Sequence, residues 1–125
     1  MKKEIEKLVD VYNSFQQAYG KEVSLNYPFL IELIFSKDFK KIANQEELVS
    51  DRAGLEPQLE NVKALFGSWE KEVKYIIPSA CGTKCTLRYT LKSEKAGDFD
   101  VFAVLTSQDG KHIDVIDEIY REIEK

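Results

Sequence analysis

The chain of 125 residues has one histidine, two cysteines and no long unbroken apolar run, and each shortage narrows the classes of function. A lone His112, with no cysteine or second histidine near it, falls short of the three or four ligands a zinc site wants, so no metal is expected. Two cysteines are too few for a disulfide framework and agree with a reducing compartment. Cys81 and Cys85 flank a turn in CGTKC, a spacing unlike the redox Cys-x-x-Cys. They could pair across a hairpin if geometry allows; the plainer reading is one turn thiol and one small buried residue. The longest apolar run, from Tyr27 to Phe35, is broken by Glu32 and is far short of the ~20 residues that span a bilayer. The N-terminal MKKEIEKLVDVY carries charges where a signal peptide needs an unbroken apolar stretch. A cytoplasmic protein without a membrane partner is expected. Net charge is −4, and no basic patch interleaved with aromatics is present, which argues against nucleic acid. A glycine-rich phosphate loop, a Gly-x-Ser-x-Gly elbow and a Ser/His/Asp set are also missing, and no cofactor is implied.

What is present is the composition of a folded protein, 43% hydrophobic and 32% charged. The length suits one domain over residues 1–125, enough to bury about two-thirds of the unfolded chain's surface. Ile5, Leu8, Val9, Tyr12, Phe15 and Tyr19 recur at helical spacing and predict a helix over residues 2–19, with Gly20 as its stop. In NYPFLIELIFSKDF, Asn26 can cap and Pro28 fits the first turn. Its apolar residues go nearly all round, so a helix buried on several sides is expected. FKKIAN suggests a short edge strand and NQEELVSD a loop. GLEPQLENVKALFG gives a third helix closed by Gly67.

After Trp69 the period changes to two. Val73, Tyr75 and Ile77 form one alternating set, and Cys85, Leu87, Tyr89 and Leu91 another. KAGD and QDGK separate FDVFAVLT from HIDVIDEIY, so short-loop hairpins build an antiparallel meander. Helices first and strands later predict an α+β fold: three N-terminal helices packed in the concave face of a curved, mostly antiparallel sheet, a cone with an apolar cavity.

That order resembles the nuclear transport factor 2-like superfamily, closest to its SnoaL-like and ketosteroid isomerase-like branches. The resemblance covers nearly the whole chain. It is carried by Tyr12 in the first helix, GLE before the third, the strand–turn–strand from Tyr75 to Tyr89, and a last strand after DGK. It implies a small homodimer with one pocket per subunit, and functions from isomerase and cyclase to pure binding. The isomerase branch's general-base aspartate falls at Asn44 and Gln45, and its second oxyanion donor near Phe102. Neither amide takes up a proton near neutral pH, which argues against steroid-type isomerisation. The SnoaL-like branch implies an acid–base aspartate on the last strand, matching Asp117; its usual histidine partner falls at Ala103.

Strict alternation puts Ile113, Val115, Asp117 and Ile119 on one face, and Asp114, Ile116, Glu118 and Tyr120 on the other. Asp117 is therefore the expected pocket acid, flanked by aliphatics, and Glu118 the outward one. A bulge before Asp117 would exchange them. The plainer reading of Asp117 is a solvated or ion-paired carboxylate at the pocket mouth, and of Tyr12 a core tyrosine. Tyr12 is the expected hydrogen-bond donor. The expected lining is Phe15, Tyr27, Trp69, Tyr75, Leu87, Tyr89, Phe102, Val104, Val115 and Ile119, which could equally fill the cavity. The outer sheet face, with Ile116 and Tyr120 beside Arg88 and Thr90, is the expected dimer seam. Binding of a small hydrophobic or partly polar molecule is the leading function, with an isomerase or cyclase type of proton transfer if catalysis occurs. The rival is a non-catalytic interaction module with a filled pocket. An open cavity of several hundred Å³ with Asp117 at its wall would favour the first, a filled one the second.

Overall fold

A computed structural model describes residues 3–124; Met1, Lys2 and Lys125, including the first position of the expected helix 2–19, lie outside the described residues. Helix α1 (Glu4–Gly20) buries Ile5, Leu8, Val9, Tyr12 and Phe15 of the stripe its spacing predicts, leaves Tyr19 half-buried, and buries Gln16 as well. Gly20 is needed for close packing as well as termination: a Cβ there would sit 2.2 Å from the Trp69 indole. That indole donates its N–H to the carbonyl of Gln16 at 3.1 Å, locking the end of α1 to the sheet.

Helix α2 (Tyr27–Ile34) starts as predicted, with the Asn26 side chain accepting from the Phe29 amide at 3.2 Å. It is not buried on several sides. Only Ile31 and Ile34 are inside, while Phe29 and Leu33 are 58% and 55% exposed. Nothing in the described residues covers the far side of α2, because the chain passes straight into β1 (Phe35–Ala43) at its end. This strand is longer than expected and is interior rather than an edge. The expected loop over NQEELVSD instead holds β2 (Glu46–Val49), joined to β1 through Asn44 and Gln45 at positive φ of 48° and 70°. Asn44 also clamps the last strand: its side-chain oxygen accepts from the Tyr120 amide at 2.9 Å, and its amide donates to the Tyr120 carbonyl at 3.3 Å.

Helix α3 (Leu55–Phe66) follows a short 3₁₀ turn and ends at Gly67, φ 71°. Strands β3 (Trp69–Pro78), β4 (Lys84–Ser93), β5 (Asp98–Thr106) and β6 (Ile113–Glu122) complete one sheet in the order β2-β1-β6-β5-β4-β3. All its pairings are antiparallel except β1 with β6. The helices pack on its concave face around a core in which Tyr12, Phe15, Phe35 and Phe39 meet mainly edge-on, with ring centroids 4.7–6.1 Å apart. No helix among the described residues is long and apolar enough to cross a membrane.

Two irregularities decide which side chains face inward. In β3 the pairing shifts between Val73 and Tyr75, so Lys74 is an extra residue. Tyr75 then lies opposite outward Arg88, and Ile76 opposite buried Leu87. In β6 both Ile113 and Ile116 are buried, an odd spacing that resets the alternation where the pairing to β1 also shifts. Beyond that point Ile116 and Glu118 point into the cone, while Asp117 and Ile119 point out.

Candidate functional site

Several sequence-predicted positions therefore need correcting. Asp117 is exposed on the outer face and Glu118 is 7% exposed inside, the reverse of strict alternation. Tyr75, Phe102, Val104 and Ile119 are exposed on the convex side, and Val115 shares it, opposite Thr106. Ile116, expected outward, is buried, and Tyr120 lies on the inner face at the cavity rim. Phe15, Trp69 and Leu87 are buried core residues, and Tyr27 is half-buried against Phe15 and Tyr19. Only Tyr89, of the expected lining, walls the largest inner cavity; Tyr12 stands buried behind it.

A polar cluster occupies the concave face. Lys41 comes from β1, Lys71 from β3, Tyr89 from β4 and Glu118 from β6, with Tyr12 and Gln16 above them on successive turns of α1. The Glu118 carboxylate lies 3.7 Å from the Lys41 ammonium, both side chains about nine-tenths buried, and accepts from the Tyr89 hydroxyl at 3.4 Å. Lys71 Nζ donates to Gln16 Oε1 at 2.5 Å and sits 4.4 Å and 4.1 Å from the centres of the Tyr12 and Tyr89 rings. Burial drives the Lys71 amine well below the usual lysine range, opposed by the attraction of Glu118 and reinforced by the charge on Lys41. Burial and the Glu118 charge together hold the Tyr12 and Tyr89 hydroxyls above their usual value, so both remain proton donors.

This cluster backs a cavity of about 90 Å³ between α1, α3 and the sheet. Gln16, Lys41, Gln58, Tyr89 and Glu118 supply its polar wall; Phe66, Leu91, Phe99 and Val101 supply much of its apolar wall. Leu48 and Tyr120, 40% and 38% exposed, mark its mouth. The deeper cone is closed: Tyr12, Phe15, Phe35 and Phe39 leave a void of only about 10 Å³. The cavity thus lies between the two expected extremes, small but open, with Glu118 in its wall. Three more open surface grooves, of about 380, 360 and 400 Å³, share none of the polar wall.

The wall is short of partners. Gln58 Oε1 is buried with no hydrogen bond. Glu118 Oε1 and Lys41 Nζ face each other beyond hydrogen-bond length. A group that donates to one and accepts from another would fit there. No set of three or more His, Cys, Asp or Glu among the described residues is gathered for a metal. His112 belongs to a hairpin, its Nδ1 2.7 Å from Asp109. Cys81 and Cys85 are both free, the first exposed, the second buried.

Sequence signals for the missed residues existed. Gln16 follows Tyr12 by four on the buried stripe of α1. Lys41 lies two from Phe39, and Lys71 two from Trp69, on the same face of their strands. A lysine in such a pattern reads as solvated by default, and only tertiary packing shows otherwise.

Comparison with solved structures bears on this architecture. An NTF2-like protein of unknown function from Exiguobacterium sp. 255-15 superimposes with a TM-score of 0.75 at 17% identity, covering 93% of this chain and 99% of that one. This chain has the nuclear transport factor 2-like fold. A candidate polyketide cyclase from Bacillus cereus ATCC 10987 matches at TM-score 0.72 and 19% identity, over 94% of this chain and 74% of that one. A candidate SnoaL-like polyketide cyclase from Jannaschia sp. CCS1 matches at 0.71 and 12% identity, over 93% and 85%. At such identities the likeness concerns fold, a nuclear transport factor 2-like cone of the kind seen in SnoaL-like proteins. No protein-family model and no curated protein matches the chain.

Proposed function

We propose that this chain binds a small, partly polar molecule in the cavity beside Glu118 and moves a proton on it, in an isomerase or cyclase type of step. The observation that carries the reading is a carboxylate nine-tenths buried in the cavity wall, with a lysine and a tyrosine hydroxyl against it. Glu118 is the acid–base group, since it is the carboxylate inside reach of a bound molecule. Lys41 is the donor for negative charge that develops on the substrate, and the Tyr89 hydroxyl steadies the carboxylate. The folds shared with candidate polyketide cyclases are consistent with this chemistry.

The test pairs Glu118→Gln with Asp117→Asn in a screen of small carbonyl compounds, followed by thermal shift and by proton exchange in D2O. Binding that survives Glu118→Gln while exchange falls at least ~100-fold supports the role, and Asp117→Asn should leave both unchanged. If no small molecule shifts the melting temperature of any form, the pocket reading fails.

A second reading has its own observation. Tyr75, Phe102, Val104 and Ile119 form an exposed apolar strip on the convex sheet face, with the Arg88 guanidinium 4.8 Å over the Phe102 ring and paired to Asp100. This strip supports a homodimer through the outer face. Ile119→Glu should yield a monomer by light scattering; an unchanged mass would remove the dimer seam from that face.

A further inference from the structure

The cavity wall also restricts which small molecules would fit. We propose, building on the pocket reading above, that the cavity takes an uncharged α-hydroxycarbonyl group, a carbonyl whose neighbouring carbon bears a hydroxyl. Three features of the wall lead there.

The first is hydrogen-bond capacity. Gln58 Oε1 is a buried acceptor with no donor, so the occupant must bring an O–H or N–H. Lys41 Nζ is a donor that faces Glu118 Oε1 at 3.7 Å, beyond hydrogen-bond length, so an acceptor on the occupant would satisfy it. A carbonyl beside a hydroxyl supplies both within one short fragment.

The second is charge. The Lys41 ammonium is balanced by the Glu118 carboxylate in the same wall. The next cation, Lys71, is held toward its neutral form by burial. A carboxylate or phosphate entering this wall would bring an unbalanced negative charge against Glu118, which is costly in a dry site. A neutral carbonyl would not.

The third is size. About 90 Å³ holds on the order of three waters or a fragment of four or five heavy atoms. The exposed rim at Leu48 and Tyr120 lets a longer substituent project.

The chemistry follows from the arrangement. Glu118 takes the proton from the carbon carrying the hydroxyl. The C–H electron pair becomes the new C=C bond, and the carbonyl oxygen takes the negative charge against the Lys41 ammonium. Gln58 holds the substrate hydroxyl. Return of the proton to the same carbon gives exchange with solvent; delivery to the former carbonyl carbon, with the substrate's own hydroxyl proton passing to the neighbouring oxyanion, moves the carbonyl along the chain. No oxidant or co-reactant is consumed.

The probes are hydroxyacetone, acetone and acetate at millimolar concentration, with binding followed by ligand-observed NMR and exchange by loss of the CH2 signal of hydroxyacetone in D2O. Hydroxyacetone should bind about tenfold tighter than acetone, the difference one satisfied acceptor makes. Gln58→Leu should erase that preference, and wild-type protein should speed CH2 exchange while Glu118→Gln does not. Acetate binding as well as or better than hydroxyacetone would overturn the neutral-ligand inference while leaving the pocket reading intact. Equal binding of acetone and hydroxyacetone to wild type would overturn the role of Gln58 without needing any variant to fold. Binding of none of the three, with the cavity holding water only, would overturn the inference; the broader screen then decides the pocket reading separately.

Discussion

Glu118→Gln tests the central claim that the inner carboxylate is a buried charge with a specific partner. The substitution keeps the side chain's shape and keeps an acceptor for the Tyr89 hydroxyl, but removes the negative charge facing Lys41. The two side chains are only 9% and 10% exposed, so water cannot do the work of the lost partner. Breaking a buried pair from one side costs about 3–5 kcal/mol. The 3.7 Å separation is longer than a charge-assisted hydrogen bond, which puts the expected loss at the lower end, about 3 kcal/mol. With a urea slope of about 2 kcal/mol/M for a chain this size, the midpoint should fall by about 1.5 M.

Lys41→Met removes the other partner, and the double variant removes both. The assay is urea unfolding followed by Trp69 fluorescence and far-ultraviolet circular dichroism, with all four proteins forming a double-mutant cycle. The double variant should be more stable than the sum of the singles predicts by about 2 kcal/mol, because the second substitution deletes the charge that the first stranded. Additivity within about 0.5 kcal/mol would mean that the pair behaves like a solvated surface pair, and the electrostatic account of the cavity would be wrong.

Other expectations concern the surroundings of that pair. Gly20→Ala forces a Cβ to within 2.2 Å of the Trp69 indole and should cost about 1–3 kcal/mol in the same unfolding assay, where Lys21→Ala costs little. Lys71 has a folded-state pKa below its unfolded one, so between the two values the unfolded chain holds the extra proton. Stability should therefore rise with pH across that window and level off near the ordinary lysine value, and Lys71→Met should lack the rise; parallel pH profiles for both proteins would refute this. The Cys81 thiol, lowered to about 7 by the Ser79 and Thr83 hydroxyls, should react with iodoacetamide with a midpoint near pH 7. The Cys85 thiol, raised to about 11 chiefly by burial, should stay inert until the chain unfolds, as mass spectrometry of the labelled peptides can show.

Much of the fold was legible because long periodic segments carry their own evidence. The stripe from Ile5 to Phe15 became α1, and Cys85, Leu87, Tyr89 and Leu91 became the inner face of β4. The short strand after Gln45 was not legible, since four residues with three exposed show no alternation. The exposed side of α2 was misread because an all-apolar helix resembles a buried one whether or not anything covers it. The site was lost to parity. One extra residue at Lys74 moved Tyr75 outward, and one reset between Ile113 and Ile116 exchanged Asp117 with Glu118. A bulge leaves little mark in sequence, and each one turns over the rest of its strand.

The inner cluster itself is the stronger argument for function. Two lysines, a carboxylate and two glutamines line the concave face of a protein whose remaining inner positions are mostly apolar or aromatic. For stability alone, Leu or Met at Lys41 and Glu118 would serve as well or better, since a buried ion pair at best repays its desolvation. The Gln58 oxygen adds a further cost, being buried without a donor. Lys71 is confined between two tyrosine rings, where its charged form is penalised. The unpaired Gln58 oxygen and the loosely paired Lys41 ammonium are unfavourable to the empty protein and would be relieved by a molecule with one donor and one acceptor in the cavity. A ligand of that kind should therefore raise the melting temperature of wild type more than that of the Lys41→Met/Glu118→Gln double variant. An equal rise in both would assign the cluster to architecture instead.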